Sequence, residues 1–332
     1  MNFWKELKNN KPKGIMVLAP MADVTDSAFR SIISKYGKPD VTWTEFVSAD
    51  GLFLGGYDAL IKDLSYTEAE RPIVAQFFTS KPEIMEKAAE LAVDLGFDGI
   101  DINMGCPDKS IEKQGAGAGL IKNLKLAQEI ILAAKRGASK NGKNIPVSVK
   151  TRIGYNKNEL ENWLPALLET NPAVITIHAR TRKEMSLVPA RWEHIKRAVE
   201  IRDSFVDSLG NKSETLIFGN GDVIDLKDAE AKVLETGCDG VMLGRAIFGN
   251  PWLFSKTTSR EDVSIPDRLR VMVEHTKLFE KTLSHKSFAI MKKHYKAYVH
   301  GWDGAKELRM KLMEAKDSNE VGEIIEEYIK GL

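Results

Sequence analysis

Short apolar runs rich in β-branched residues recur along the first three quarters of the chain, and each is followed by a segment with helical spacing. Eight runs stand out: Ile15–Ala19, Val41–Phe46, Ile73–Phe78, Gly99–Met104, Val147–Lys150, Val174–His178, Leu216–Phe218 and Gly240–Leu243. Runs that are apolar at nearly every position, not at every second one, belong to parallel strands covered on both faces. Between the third and fourth runs, Pro82 suits a first helical turn, Ile84, Ala88, Leu91 and Leu95 share one face, and Gly96 ends the helix. Asn123–Ala138 repeats this with Leu126, Ile130, Ile131 and Ala134, and Asp225–Glu235 precedes Gly237 in the same way. Leu52–Leu64 carries the weakest helical pattern and is expected to be loop. Met1–Leu7 reads as a terminal helix or arm.

An internal echo supports a repeated unit. Leu95-Gly96-Phe97-Asp98-Gly99-Ile100 resembles Thr236-Gly237-Cys238-Asp239-Gly240-Val241, each closing a helix and opening a strand. Eight β-α units over roughly 250 residues predict an α/β fold of the (β/α)8 TIM-barrel type. A doubly wound open sheet is the rival, but it carries a G-x-G-x-x-G turn after its first strand. Neither Gly115–Gly119 nor Gly219–Gly221 has that form or that place. After Pro251 the texture changes to a polar link and then to amphipathic helical patterns alone, so a barrel spanning 1–255 and a small C-terminal helical bundle spanning 256–332 are expected.

Composition narrows the class. The 332 residues hold 43% hydrophobic residues and two cysteines, enough core to need no disulfides. Without a leader pattern or an apolar run of membrane-spanning length, the expected location is cytoplasmic, with no membrane partner. The absence of C-x-x-C and H-E-x-x-H spacings argues for no metal.

In such barrels the chemistry sits at the carboxyl ends of the strands. There this chain places Pro20-Met21-Ala22, Glu45, Gln76, Asn103 to Pro107, Lys150-Thr151-Arg152, His178-Ala179-Arg180, Asn220-Gly221-Asp222 and Gly244-Arg245. Lys150, His178 and Arg245 at one mouth repel one another unless an anion sits among them, and a phosphorylated cofactor supplies one. Gly221 and Gly244 allow backbone N–H groups close to phosphate oxygens, and Arg245 opens the next helix. Gln76 offers an amide suited to the edge of a flavin ring. Cys106 lies in a loop, not in a core run, and its thiol is a candidate for chemistry, whereas Cys238 reads as structural.

With these residues in hand, the chain resembles the tRNA-dihydrouridine synthases. The matching segments are Leu18-Ala19-Pro20-Met21-Ala22-Asp23-Val24-Thr25-Asp26, Asp101-Ile102-Asn103-Met104-Gly105-Cys106-Pro107, Val149-Lys150-Thr151-Arg152, Ile177–Arg182, Gly219–Asp222 and Gly244-Arg245. The resemblance implies a flavin mononucleotide (FMN) enzyme that reduces the C5–C6 bond of particular tRNA uridines with NADPH as reductant; apart from the resemblance, a monomer is expected. It implies that Pro20, Met21, Ala22, Gln76, Lys150, His178, Asn220, Gly221, Asp222, Gly244 and Arg245 hold FMN, and that Cys106 is the acid. Asn103 and Arg152 match positions that touch the target uracil, and Arg180 and Arg182 are further substrate candidates.

Charge adds one element. The net charge of +1 hides a local surplus: Lys277–Lys311 holds nine Lys/Arg and three acids, so the remaining residues sum to −5. His285, His294, Tyr295, Tyr298, His300 and Trp302 are interleaved with those cations, a pattern expected to face RNA. Two other readings stay open, a flavin barrel acting on a small pyrimidine or enone and a noncatalytic RNA-binding barrel.

Overall fold

The computed structural model describes residues 2–140 and 142–332. The eight strands are β1 (Ile15–Leu18), β2 (Thr42–Ser48), β3 (Ile73–Phe78), β4 (Gly99–Asn103), β5 (Val147–Arg152), β6 (Val174–His178), β7 (Leu216–Asn220) and β8 (Gly240–Leu243). All pair in parallel in the order β1-β8-β7-β6-β5-β4-β3-β2. The sheet curls until its edges meet at a parallel bridge between Val17 and Val41, supported by Asp40 N donating to Met16 O at 2.9 Å. The predicted TIM barrel is therefore present. Its strands differ from the hydrophobic runs mainly at their carboxyl ends, where β5 continues to Arg152 and β7 to Asn220. These polar ends continue the ladder as well as apolar residues do, because pairing uses the backbone.

The amino end of the barrel is plugged by the helix Phe3–Asn10, capped by Asn2. Trp4 is buried there, its ring 5.8 Å from Trp43 and 5.6 Å from Phe218, in a cluster with Val17, Val74, Val174 and Met242. Met1, part of the predicted arm, lies outside the described residues. Leu52–Leu64 is not loop: short helices at Ala49–Phe53 and Tyr57–Leu60 lead into a 3₁₀ turn at Ile61–Leu64. Ser48 caps the first of these, a local signal that periodicity over so few residues does not carry. No helix among the described residues is long and apolar enough to cross a membrane.

Beyond the barrel, the chain forms the helices Ile265–Thr282, Met291–Tyr298, Ala305–Glu314 and Ser318–Lys330. The first of these packs on the barrel helix Ser27–Tyr36. At that contact Phe29 stacks on His275 at 4.8 Å and meets His294 edge-on at 5.0 Å, while the two imidazoles lie 4.7 Å apart. His294, Tyr295 and Tyr298 are buried core residues of this contact. They are not the RNA-facing aromatics that their place among the lysines suggested, because composition does not report which face of a helix docks. Lys286 is also absorbed internally, 2.7 Å from Glu45 Oε2 and 3.1 Å from Asp63 Oδ1, tying the tail to the barrel rim.

The buried imidazoles make the tail contact sensitive to acid. Burial holds His294 down to about 3 and His275 well below its ordinary 6.5, and neither has a hydrogen-bond partner. Below about pH 6.5 the unfolded chain gains protons that the folded form refuses, so this contribution is complete above pH 6.5 and is lost as pH falls. The loss is about 1.4 kcal/mol per pH unit per histidine. His275→Phe keeps the stack and removes one of these groups. Denaturant unfolding at pH 7 and 5.5 should show the wild type losing about 1 kcal/mol more stability than the variant; equal losses would refute the assignment.

Candidate functional site

At the carboxyl ends of the strands lies a cavity of about 240 Å³, lined by Pro20, Met21, Lys150, His178, Asn220, Gly221, Asp222, Gly244 and Arg245 together with Ala19, Arg180, Ser186 and Val223. Four larger clefts, of about 640, 600, 540 and 410 Å³, open elsewhere. Size therefore does not mark the site; in the two largest clefts Lys11 is paired with Asp40, Lys13 with Glu230 and Lys5 with Glu214.

Strand register creates the charge. Asn103 sits beside Lys150, Arg152 beside His178, and His178 beside Asn220. Lys150 Nζ has only Asn220 Oδ1 at 3.5 Å. Burial, with Arg152 adding to it, brings its pKa down to about 8. Arg152 is held down to about 10 by burial and donates to main-chain carbonyls alone: Gly105 O at 2.7 Å, Met185 O at 3.0 Å and Thr181 O at 3.2 Å. Neither cation forms an ion pair among the described residues. Burial and then the surrounding cations hold His178 well below its ordinary value, so its ring is neutral.

Asp222, in the left-handed region at φ 54°, balances the opposite wall. Its carboxylate is paired with Arg180, lies 2.6 Å from Arg245 and accepts from Ala190 N at 2.8 Å. Gly221 before it has φ 127°, and a Cβ there would stand 2.8 Å from that of Ala190, so no side chain fits. Arg245 opens only a 3₁₀ turn, Arg245–Ile247, and not the helix read from sequence. Its anion attraction therefore comes from the guanidinium and nearby N–H groups rather than from a helix dipole.

Cys106 follows β4 in a loop pinned at several points. Asn103 Oδ1 accepts from Gly105 N at 3.1 Å and Cys106 N at 2.9 Å, Arg152 holds Gly105 O, and Ala118 N donates to Cys106 O at 3.0 Å. Gly117 completes the grip: its φ is 57° and a Cβ would lie 2.9 Å from Cys106 O. The loop is pre-positioned, not a free flap. Burial pushes the thiol above its ordinary value, while a backbone hydrogen bond at Asp108 and, more weakly, the charges of Lys150 and Arg152 pull it downward.

The remaining candidates differ in exposure. Ala22 lies exposed just outside the cavity and Gln76 is fully buried beneath it, with Nε2 donating to Asp101 at 2.6 Å and Oε1 accepting from Asn103 Nδ2 at 3.1 Å. Arg180 is buried with its donors on Val188 O, His178 Nε2 and Asp222, so it braces the wall. Arg182 is paired with Glu112, which ties the loop after β6 to the loop of Cys106. Sequence reading gave no part to Ser186, Glu112 or Asp101. For Asp101 the signal existed, a carboxylate inside an otherwise apolar strand two residues before Asn103 and thus on the same face.

Two uncompensated cations, a glycine cradle without Cβ atoms and a neutral imidazole fit an anionic, phosphate-bearing flavin. A family model described as dihydrouridine synthase (Dus) matches residues 17–331. A probable tRNA-dihydrouridine synthase 2 of Bacillus subtilis (strain 168) is 38% identical over 98% of this chain and 96% of its own length. A probable tRNA-dihydrouridine synthase of Staphylococcus aureus (strain COL) is 39% identical over 98% and 95%. Among solved structures, morphinone reductase superposes with a TM-score of 0.51 at 13% identity over 73% of this chain and 84% of its own, a likeness of fold. Nearly the whole chain, from the first strand to the last helix, is thus accounted for by one lineage, and it belongs to the dihydrouridine synthase family.

Proposed function

We propose that this chain reduces the C5–C6 double bond of particular uridines in tRNA, with FMN as the bound flavin and NADPH as the reductant. The observation that carries the reading is a protonated thiol on a pre-positioned loop at the strand ends, where Lys150 lines the cavity and Arg152 braces that loop, neither cation being paired with a carboxylate among the described residues. Pro20, Met21, Ala22, Gln76, Lys150, His178, Asn220, Gly221, Asp222, Gly244 and Arg245 would hold FMN, the phosphate lying toward Gly221, Gly244 and Arg245. When bound and reduced, the flavin supplies a hydride to uracil C6.

The protein's part is the proton and the charge. Reduction at C6 leaves negative charge on C5 and O4, and Cys106 Sγ holds the proton that C5 needs. A carboxylic acid would mostly have lost its proton at neutral pH, whereas a thiol raised by burial keeps it. Arg152 and Lys150 stabilise the oxyanion as it forms and then the thiolate left behind. Asn103 and Arg152 would meet the uracil; Arg180 and Arg182 act behind them by fixing the wall and the loop. A uridine in folded tRNA is stacked, so it must be extruded into the mouth while the remaining RNA is gripped elsewhere. Lys277, Lys281, Lys296, Lys306 and Lys311 are exposed on the tail and supply that grip to the phosphate backbone.

Cys106→Ala should retain flavin, seen as the visible absorbance of the purified protein, and lose at least about 100-fold in tRNA dihydrouridine formation measured by nucleoside mass spectrometry. Undiminished turnover would remove Cys106 from the mechanism. For flavin binding, an anion raises the pKa of Lys150, so binding takes up a proton once the free lysine begins to lose its own near pH 8. FMN affinity should hold below that pH and weaken up to about tenfold per unit above it, a dependence absent in Lys150→Met. Replacing Lys281 and Lys296 together by alanine should lower tRNA affinity and reduce its salt slope by up to about 2 while sparing FMN affinity. An unchanged slope would move the RNA grip away from these lysines.

A further inference from the structure

A buried carboxylate that plays no part in the chemistry above lies directly beneath it. Asp101 is in the middle of β4, fully buried, opposite Gln76 of β3 and Ser148 of β5. Ser148 Oγ donates to Asp101 Oδ1 at 2.5 Å, and Gln76 Nε2 donates to Asp101 Oδ2 at 2.6 Å. From Gln76 the contacts run to Asn103, and from Asn103 to the main chain of Gly105 and Cys106.

The direction of this chain follows from its two ends. The main-chain N–H groups of Gly105 and Cys106 are donors only, so Asn103 must turn its oxygen toward them and its NH₂ toward Gln76. Gln76 must then answer with its oxygen and send its own NH₂ to Asp101, where an ionised carboxylate accepts only. Turning either amide over sets two N–H donors against each other in a buried place where no water relieves them. Rotamer preference distinguishes the two orientations of a terminal amide weakly; the carboxylate settles it.

We propose that Asp101 is the positioning residue of this site: by fixing the orientations of Gln76 and Asn103, it holds the loop that presents Cys106. The inference rests on the reading of Cys106 as the acid, and it assigns Gln76 and Asn103 a structural duty in addition to any contact with flavin or uracil. What the chain needs from position 101 is an acceptor facing Gln76, not a charge. Asparagine meets that need, since its oxygen can face Gln76 while its NH₂ donates to Ser148 Oγ, whose own proton turns to Ile100 O, now 3.1 Å away. Leucine keeps the branch at Cγ, with bulkier methyl groups, and has no acceptor, and alanine leaves a space for water, which donates and accepts equally and sets no direction.

The test uses the full chain loaded with FMN and reads two quantities. One is the iodoacetamide alkylation rate of Cys106, located by peptide mass so that the buried Cys238 is counted apart. The other is kcat and KM for tRNA. Asp101→Leu should raise alkylation at least about fivefold and lower kcat at least about tenfold with KM changed less than about threefold. Asp101→Asn should restore both to within about threefold of wild type. Asp101→Ala serves as the second loss variant should the leucine protein not fold. The proposal fails if a loss variant that folds alkylates at the wild-type rate, or if asparagine is as damaging as alanine. Should alkylation follow the predicted order while Cys106→Ala keeps full turnover, the positioning role stands and the acid assignment alone falls.

Discussion

The site depends on keeping Lys150 and Arg152 close together, partly buried and without a carboxylate of their own. Neighbouring strands in register leave little choice, since positions 150 and 152 share one face of β5 at the mouth. Burial, with the repulsion of Arg152 adding to it, brings Lys150 down to about 8. Folding tolerates this because the arrangement has structural use: Arg152 joins Gly105 in the loop after β4 to Thr181 and Met185 in the loop after β6. One guanidinium therefore provides a field and a brace. An anionic occupant relieves the repulsion without disturbing the brace, since the brace uses carbonyls alone.

The opposite wall is built on the contrary rule. Arg180 and Arg245 share Asp222, and Arg182 is matched by Glu112. The cations of this wall are matched by carboxylates, and Lys150 and Arg152 are not. This division could not be read from the chain, where all of them stand alike at strand ends. It becomes visible only when the loop after β6 folds back and brings its arginines to carboxylates that lie about 40 to 70 residues away in sequence.

What the sequence made legible is what depends on local periodicity. Eight apolar runs with helical segments between them define the barrel, and the carboxyl end of each run marks where chemistry collects. The same reading placed Lys150, His178, Asn220 and Arg245 around one mouth. It went astray where the orientation of a side chain is decided by a distant partner. His294, Tyr295 and Tyr298 look like RNA-stacking residues among lysines, yet their helix docks that face on Phe29. Lys286 looks free and is bound to Glu45 and Asp63, more than 200 residues earlier. Gln76, read only as a flavin contact, also has internal partners at both ends, Asp101 and Asn103. In each case the residue type was read correctly and its partner lay beyond the reach of pattern.

The balance at Cys106 shows why burial and cations are needed together. A thiol beside two cations in water would ionise readily, and as a thiolate it would have no proton to deliver. A thiol buried in apolar surroundings alone would keep its proton but resist giving it up, because the resulting anion would stand in a poor solvent. Here burial is the stronger influence and the pull of Lys150 and Arg152 the weaker, so the resting group is protonated. If the proton leaves as proposed, the charges of the same two cations lower the cost of the anion it leaves. A site that acted mainly by activating its cysteine as a nucleophile would need the order reversed, with the cations outweighing burial. The order found here suits the proposed role of proton donor, and the pinned loop preserves it, since a mobile Cys106 would gain water and lose the burial that keeps the thiol protonated.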